Sequence, residues 1–385
     1  MDDLLHLDDL LQDDERMIRD TVARFVTHDV IPKMADAFEH AVFPSDFIKQ
    51  TADLGLLGLT LPVEYGGSSA SYVAYGLVCQ ELERGDSGLR SFVSVQSSLC
   101  MYPIFKFGTE AQKQRFLSQM AKGEIIGCFG LTEPNSGSDP ASMRTSAKKV
   151  AGGWRLNGAK MWITNAPIAH IAIVWAKTDE GIGGFIVEKE FKGFSSRDTH
   201  LKMSLRASIT GELAFDNVFV PDDNLLPGTV KGLGAALSCL NQARYGIAWG
   251  AMGAAMACFD ITRDYLLERQ QFEKPLASFQ LIQRDLANIY TEIIKGQCLN
   301  LQIGHIKDQQ RETPAMISLA KGNACREALN IARTCRNLLG ANGISLEYHV
   351  IRHMLNLESV FTYEGTDNIH TLVLGRHITG INAFN

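Results

Sequence analysis

The sequence lacks the short motifs that identify several common enzyme classes. It has no GxGxxG after a strand, no P-loop and no HExxH, so Rossmann-type nicotinamide binding, NTP hydrolysis and zinc-protease chemistry have no support. None of its eight cysteines forms a CxxC pair, which favours reduced, buried core thiols over disulfides or a metal site. His349 and His353 share a helical face without a clear acidic third ligand, and we interpret them as structural.

Excess positive charge and long apolar runs are also missing. The chain has 37 Lys and Arg against 43 Asp and Glu, a net charge of −6, which argues against general affinity for nucleic acid or anionic membranes. No apolar run reaches the length of a membrane span. The acidic stretch from Met1 to Asp9 fits neither a signal peptide nor an Arg-rich transit peptide. We therefore expect a soluble protein, either bacterial and cytoplasmic or a processed mitochondrial-matrix form.

The 385 residues fall into three zones that differ in hydrophobic spacing and in turn residues. Up to about residue 125 apolar positions recur with helical spacing. From about 126 to 233, glycine pairs and Asn-Gly turns separate short β-branched and aromatic runs, which predicts a small, mostly antiparallel β domain. Long helical patterns return after residue 233. We predict an α+β multidomain fold with an N-terminal α domain at 1–126, a middle β domain at 127–233 and a C-terminal α-bundle at 234–385.

The individual elements can be bounded approximately. The first predicted helix begins near Asp13. Further helices are predicted at Tyr72 to Arg84, Thr109 to Met120, Ala235 to Tyr265, Gln280 to Lys307, Thr313 to Leu339 and Thr371 to Ile381. Predicted strands are Trp154 to Leu156, Lys160 to Thr164, Ile171 to Ala176, Gly184 to Glu188, Gly211 to Phe215 and Val218 to Val220.

Two segments of the middle zone could contact a ligand. The Gly/Ser/Asn-rich loop from Phe129 to Asp139 could present backbone N–H groups to a phosphate or a polar ring, although such composition more often marks an ordinary loop. Trp162 and Thr164 lie two residues apart and so on one face of a strand. That pairing suits a flat ring with polar edges, while Trp162 alone could equally be core.

A candidate general base lies near the C-terminus. Glu364 stands in a largely apolar stretch and is followed by Gly365, which lets the backbone approach a ligand. Desolvation there should raise the pKa of the carboxyl group, as a general base requires. Spacing alone nevertheless favours a capping or salt-bridging glutamate.

Taken together, these segments resemble the acyl-CoA dehydrogenase family over essentially the whole chain. The matching motifs, in order, are Leu131-Thr-Glu-Pro, Lys160-Met-Trp-Ile-Thr-Asn, Arg269-Gln-Gln-Phe, Gly340-Ala-Asn-Gly and Tyr363-Glu-Gly-Thr. The resemblance implies a bound FAD between the β domain and the C-terminal helices. The residues that it places around FAD, including some that reach the FAD of a neighbouring subunit, are Phe129, Leu131, Thr132, Ser138, Trp162, Thr164, Arg269, Gln271, Phe272, Gly340, Gly343, Thr366 and Asn368.

The resemblance also implies a mechanism. Glu364 would remove the α-proton of an acyl-CoA thioester while the β-hydride moves to flavin N5, and its own backbone N–H would bind the thioester oxygen. Arg244 would tune the charge of the base, and Asn241 would hold the pantetheine. The expected partners are an electron-transfer flavoprotein and further copies of the chain in a homotetramer. Ala341 and Asn368 depart from a Gly and an Asp of relatives.

Further motifs narrow the resemblance to family members that act on glutaryl-CoA. They include Ser87-Gly-Leu-Arg-Ser, Leu205-Arg-Ala-Ser-Ile-Thr-Gly and Asn241-Gln-Ala-Arg-Tyr-Gly-Ile-Ala-Trp-Gly. Arg90 and Ser94, one helical turn apart, would bind the distal carboxylate beside Tyr363, with the acidic Glu83 two turns earlier. The expected reaction is oxidative decarboxylation of glutaryl-CoA to crotonyl-CoA. The alternatives are a short- or branched-chain acyl-CoA dehydrogenase without CO2 loss and a non-catalytic paralogue.

Overall fold

The computed structural model describes residues 1–230 and 232–384. The first 121 residues form helices and short helical turns. The α-helices are α1 (Asp13–Phe25), α2 (Ile31–His40), α3 (Asp46–Asp53), α4 (Tyr72–Gly85), α5 (Ser87–Ser94), α6 (Tyr102–Phe107) and α7 (Glu110–Ala121). Two π-helical turns, Val26–Val30 and Val95–Met101, join α1 to α2 and α5 to α6.

The start of α1 illustrates how the sequence sets these helices. Gln12 and Glu15 form a capping box, each side chain bonding the backbone of the other. Val22 and Phe25 are buried on the apolar face that the spacing predicts. Ser71 and Asp86 cap α4 and α5 with their side chains.

The middle of the chain forms an eight-stranded sheet in the order β6-β7-β3-β2-β4-β5-β8, with β1 paired to β4. The strands are β1 (Gly127–Gly130), β2 (Ser146–Val150), β3 (Gly153–Thr164), β4 (Ile171–Thr178), β5 (Gly181–Glu188), β6 (Phe194–Asp198), β7 (Thr210–Pro221) and β8 (Leu225–Leu226). Only the pairings of β4 with β1 and β2 are parallel, so the prediction of a mostly antiparallel sheet is confirmed. The predicted pairs of short strands are single strands, β3 and β7, interrupted by bulges.

Long helices dominate the rest. They are α8 (Gly234–Glu268), α9 (Gln280–Asp308), α10 (Pro314–Leu338), α11 (Val350–Thr362) and α12 (Asp367–Thr379), with a small hairpin of β9 (Gln270–Gln271) and β10 (Lys274–Pro275) after α8. The last helix begins four residues before the predicted start because Thr366 caps it. The predicted α–β–α order and fold class are confirmed.

Helix α8 packs very closely against α4. A Cβ at Gly253 would lie 1.9 Å from the Gln80 carbonyl oxygen, and one at Gly246 would lie 2.9 Å from Cys79 Sγ. Glycine therefore permits the two helices to approach, which brings the buried polar residues of α4 against α8. Seven of the eight cysteines are buried, and all eight are free. In the ranges 1–230 and 232–384, no helix combines the length and apolarity needed to cross a membrane.

Candidate functional site

Glu364 lies in the short connection between α11 and α12. Its φ is +50° and that of Gly365 is +100°, so two consecutive residues adopt left-handed backbone. For a glutamate this conformation is costly and persists only where neighbouring groups hold it. The Arg244 Nε donates a 2.6 Å hydrogen bond to the Glu364 carbonyl oxygen, and Lys321 Nζ donates to the Gly365 carbonyl at 2.8 Å.

The Glu364 carboxyl group is poorly solvated. Its Oε2 atom is buried and has no hydrogen-bond partner in the described part of the chain. Burial raises the pKa of Glu364 to about 7, although the cations of Arg244, Arg90 and Lys321 act in the opposite direction. A carboxyl group with this pKa is suited to accepting a proton near neutral pH.

A second group, formed by the buried Glu83 and Arg90 and the half-buried Tyr363, adjoins the base. Arg90 Nε binds Glu83 Oε2 at 2.6 Å, and Arg90 Nη2 donates to the Tyr363 hydroxyl. Arg90 is 1% exposed and Glu83 is 0% exposed. A guanidinium carries five N–H donors, so two of these contacts leave donors for a further acceptor. Tyr363 precedes Glu364 in the chain, which places the cation and the base side by side.

Three serines of α5, Ser87, Ser91 and Ser94, are spaced four and three residues apart and share one helical face, which Arg90 borders. Ser94 follows Arg90 by one turn, and Ser87 precedes it by three residues. All three hydroxyl groups are buried without a hydrogen-bond partner in the residues that the structure describes. Buried hydroxyls without partners are uncommon in folded proteins and are consistent with a ligand that supplies the missing partner. Sequence reasoning found Ser94 but missed Ser87 and Ser91, although their spacing gives the signal.

Gly250 on α8 makes room for the ion pair. A Cβ at this position would lie 2.1 Å from Glu83 Oε2 and 3.2 Å from Arg90 Nε. Sequence reasoning missed this role because nothing local distinguishes Gly250 from the other small residues of α8. It depends on the contact between α4 and α8.

One further buried pair joins the helix of Arg90 to the helix that leads to Glu364. Asp86 accepts the Gly88 N–H at the start of α5 at 2.6 Å and the Asn356 Nδ2 of α11 at 2.9 Å. Arg352 of α11 forms an ion pair with the same carboxylate and donates to the Gly85 carbonyl at 2.9 Å. These contacts couple the positions of α5 and α11.

The residues predicted to face the flavin ring, here called the flavin wall, are Phe129, Leu131, Thr132, Trp162 and Thr164. They lie on β1, in the loop that follows β1, and on β3. The Met161 N–H donates to the Thr132 carbonyl at 2.9 Å, which ties the two predicted segments together. Trp162 lies at a bulge with φ +61° and is 57% exposed, while Thr164 is half-buried. A large exposed indole two residues from a half-buried threonine fits a flat, polar-edged ring such as an isoalloxazine.

A buried ion pair holds the other side of this wall. Lys160 Nζ donates to Glu133 Oε1 at 2.9 Å and to the Leu131 carbonyl at 3.0 Å. Phe129 and Leu131 are buried and Thr132 is half-buried. Burial alone would raise the pKa of Glu133, but hydrogen bonds from Arg144 and Thr145 and the Lys160 cation outweigh burial and lower this pKa to about 2. The backbone N–H groups of Arg144 and Thr145 both donate to its carboxylate. The loop that contains Leu131 is therefore held in place by the buried Lys160, which contacts the Leu131 carbonyl and the Glu133 carboxylate.

The other predicted residues lie in varied settings. Asn241 is half-buried on α8, one turn before Arg244. Thr366 accepts the Ile369 N–H as the cap of α12, and Gly343 is buried. The exposed members are Ser138, Arg269, Gln271, Phe272, Gly340 and Asn368. Within one chain no described hydrogen bond or ion pair joins Arg269 or Gln271 to the wall with Trp162.

Three family models match the chain in order. The acyl-CoA dehydrogenase N-terminal domain matches residues 12–124, the middle domain 128–218 and the C-terminal domain 230–379. The chain belongs to the acyl-CoA dehydrogenase family. Together these matches include the connection with Glu364, the segment with Arg90 and the wall with Trp162.

Three individual proteins are similar to this chain over nearly its whole length. A glutaryl-CoA dehydrogenase from Mycobacterium smegmatis, solved in complex with FADH2, is 50% identical with a TM-score of 0.97, covering 99% of this chain and 98% of that one. Butyryl-CoA dehydrogenase from Megasphaera elsdenii is 33% identical with a TM-score of 0.92, covering 96% and 98%. The mitochondrial 2-methylacyl-CoA dehydrogenase of Solanum tuberosum is 35% identical over 376 residues, covering 96% of this chain and 91% of the relative.

Proposed function

We propose that this family member is a FAD-dependent glutaryl-CoA dehydrogenase that converts glutaryl-CoA to crotonyl-CoA and CO2. The observation that carries the proposal is the buried Arg90, with donors to spare, beside the Glu364 carboxyl group. A thioester with a methyl end needs no such cation, whereas a buried carboxylate does. The likeness to the Mycobacterium smegmatis enzyme over nearly the whole chain supports the same substrate.

Glu364 acts as the base that takes the α-proton of the thioester. Its raised pKa matches that role, and its carboxylate is favoured by the Arg244 cation. The backbone N–H of Glu364 makes no hydrogen bond in the described residues and can bind the thioester oxygen, where negative charge develops as the proton leaves. Asn241, one turn from Arg244, is placed to hold the pantetheine. FAD held between the β domain and the C-terminal helices would supply the acceptor for the β-hydride.

Arg90 binds the distal carboxylate with its remaining N–H groups, assisted by Ser94 and the neighbouring serine hydroxyls. Tyr363 holds the guanidinium in place. Loss of CO2 leaves the electrons of the broken C–C bond delocalised into the thioester, and the γ-carbon then requires a proton. Protonated Glu364 is the acid beside it. Glu83 accepts a hydrogen bond from Arg90 Nε, which leaves other N–H groups of Arg90 for the substrate, so we assign Glu83 to the decarboxylation step rather than to binding.

Phe129, Leu131, Thr132, Trp162 and Thr164 would hold the isoalloxazine of FAD, and Ser138 would bind near its pyrophosphate. The exposed residues Arg269, Gln271 and Phe272 would reach the FAD of a neighbouring subunit, as would those around Gly340 and Gly343. Phe272 is 86% exposed and Leu281 is 67% exposed, consistent with a second copy covering them in a homotetramer. Thr366 and Asn368 would hold the adenine end of FAD. An electron-transfer flavoprotein is the electron acceptor.

Arg269→Ala should weaken FAD retention and oligomer stability together. An exposed guanidinium gains a charge-assisted contact to phosphate worth about 1.5 to 3 kcal/mol when it reaches the partner's cofactor. Gel filtration with flavin quantification measures both quantities. Arg284→Ala, which removes another exposed arginine from a local pair with Asp285, serves as the control. An intact oligomer with full FAD content in the Arg269 variant would contradict the shared site.

The pH dependence of activity should report Glu364. Because the base must be ionised, kcat/KM should rise with pH to a plateau, with an apparent pKa near the value of about 7 that burial gives Glu364. Below that pH, activity should fall about tenfold per unit. Steady-state rates between pH 5 and 9 measure this profile. A limb near 4.5, the ordinary glutamate value, would mean that the carboxylate is solvated in the working enzyme.

Decarboxylation can be tested by supplying glutaryl-CoA labelled at the distal carboxyl carbon with an artificial electron acceptor. We expect labelled CO2 to appear in step with acceptor reduction. Turnover of butyryl-CoA in preference to glutaryl-CoA, without CO2, would favour the short-chain alternative that the Megasphaera elsdenii relative represents. A preparation without flavin that no acyl-CoA reduces would favour the non-catalytic paralogue.

A further inference from the structure

Lys321 on α10 is a buried cation that sequence reasoning did not single out. Its side chain is 0% exposed, and in the described residues it forms no salt bridge with a carboxylate. Burying an ammonium group without a counter-ion is costly, so a protein retains one only where other groups compensate. The compensating groups indicate what the lysine does.

All the hydrogen bonds of the ammonium go to the segment around Glu364. Lys321 Nζ donates to the carbonyl oxygens of Gly365 at 2.8 Å, Tyr363 at 3.0 Å and Phe361 at 3.5 Å. An ammonium group has three donors and no acceptor, so these carbonyls use its full capacity. Arg244 holds the intervening Glu364 carbonyl. Two cations from different helices thus hold the carbonyls of three consecutive residues.

This arrangement determines where the Glu364 N–H points. The Tyr363 carbonyl and the Glu364 N–H belong to one planar trans peptide group, and they point in opposite directions. When Lys321 holds the carbonyl, the N–H must point away from Lys321. The left-handed φ of Glu364 then places its side chain relative to that peptide. A rotated peptide would misdirect the N–H and the carboxylate together.

We propose that Lys321 is a positioning residue for the reaction. By holding the backbone carbonyls of residues 361–365, which we call the base segment, it aims the Glu364 N–H and the Glu364 carboxylate at one thioester. The inference rests on the proposed function, because it assigns a task to the same base. It adds a residue that touches neither substrate nor cofactor. Lys321 acts through the backbone and through its charge.

The charge contribution can be separated from the geometric one. The charged or titratable groups around Glu364 come from five helices and from its own connection. They are Glu83 on α4, Arg90 on α5, Arg244 on α8, Lys321 on α10, Asp367 and His370 on α12, and the neighbouring Tyr363. Lys321 lowers the pKa of Glu364, against the larger effect of burial. Burial lowers the pKa of His370 to about 3, so this histidine stays neutral over the working range. Removing the Lys321 cation should therefore raise the pKa of Glu364.

Two substitutions distinguish the contributions in the FAD-loaded protein. Lys321→Met removes charge and hydrogen bonds, so anaerobic flavin reduction by glutaryl-CoA should slow by about 100-fold, the scale of a misplaced catalytic group. The pH below which the reduction rate of this variant falls, the acid limb of its pH profile, should also move to a higher value. Lys321→Arg keeps the charge, but its planar fork cannot meet the three carbonyls in the same way. The Arg variant should therefore be slow with an unmoved limb.

Lys307→Met on α9 is the matched control. Lys307 is also buried, 1% exposed, but pairs with Glu312 at 3.0 Å and makes no described hydrogen bond to the base segment. Its loss should leave the reduction rate and the acid limb at parental values. Parental rate and limb in Lys321→Met, or the same changes in Lys307→Met, would overturn the inference. Should Lys321→Met not fold, a parental reduction rate in Lys321→Arg would overturn it instead. A parent protein that no acyl-CoA bleaches would refute the proposed function itself, a result distinct from these.

Discussion

Glu364→Gln is expected to abolish flavin reduction by glutaryl-CoA while leaving folding and FAD binding largely intact. The amide has nearly the shape of the carboxyl group, and the Arg244 and Lys321 contacts go to backbone carbonyls that the substitution keeps. Only the ability to accept the α-proton is lost. General base catalysis is worth about 10² to 10⁴ in rate, and we expect a loss at or beyond the upper end.

Rapid-mixing absorbance of the flavin measures this loss directly. Thermal unfolding and FAD content of the same preparation control for damage to the fold. Because a buried carboxyl group is replaced by a neutral one, the variant should be at least as stable as the parent above pH 7, where the parent must keep a charge in this site. Reduction at near the parental rate would exclude Glu364 as the base.

Arg90→Ala is expected to impair turnover of glutaryl-CoA far more than turnover of butyryl-CoA. Removing one partner of a buried charge pair costs about 3 to 5 kcal/mol, or roughly two to four decades in specificity. The methyl end of butyryl-CoA has no charge to neutralise, so it loses much less. The ratio of kcat/KM for the two thioesters is the quantity to measure.

The structure adds a complication that the resemblance alone did not reveal. Glu83 is fully buried and bonded to Arg90, so Arg90→Ala also leaves the Glu83 carboxylate unpaired and should lower stability. The double variant Glu83→Gln, Arg90→Met leaves no unpaired charge. It should recover stability yet remain poor with glutaryl-CoA. Equal losses on both thioesters in both variants would return Arg90 to a structural role.

Glu83→Gln alone tests the role assigned to that carboxylate. Arg90 lies between Glu83 and the expected position of the substrate carboxylate, so the neutral amide should alter substrate binding little. We expect instead a changed ratio of glutaconyl-CoA to crotonyl-CoA, measured by product mass. A large rise in KM with unchanged products would contradict this assignment.

Sequence periodicity was sufficient for most elements of the fold, because helices such as α4 and α7 carry their own apolar positions and side-chain caps. It was less successful where long-range contacts decide. The chain at Leu156 to Lys160 reads as a break, yet pairing with β7 carries one strand through it. The start of α12 was missed because Thr366 caps the helix immediately after the glycine of the base segment.

The residues of the candidate site also differ in whether the sequence alone could reveal them. The apolar surroundings of Glu364 and the following glycine made it a candidate, but only the family resemblance favoured it over a capping glutamate, and Arg90 likewise came from the resemblance. Gly250 and Lys321 were not, because their importance arises only when α8 and α10 bring them against residues more than 40 positions away. Ser87, Ser91 and Ser94 are spaced four and three residues apart on one helical face, so helical geometry alone could have added the first two.

Anaerobic mixing of the FAD-loaded protein with glutaryl-CoA, followed by product mass, tests the central proposal most directly. The flavin should bleach in a single turnover, and the product should be crotonyl-CoA, lighter than the substrate by CO2 and two hydrogens. Butyryl-CoA should bleach the flavin more slowly. Failure of glutaryl-CoA to bleach a flavin that butyryl-CoA reduces, or glutaconyl-CoA as the final product, would contradict the proposed oxidative decarboxylation.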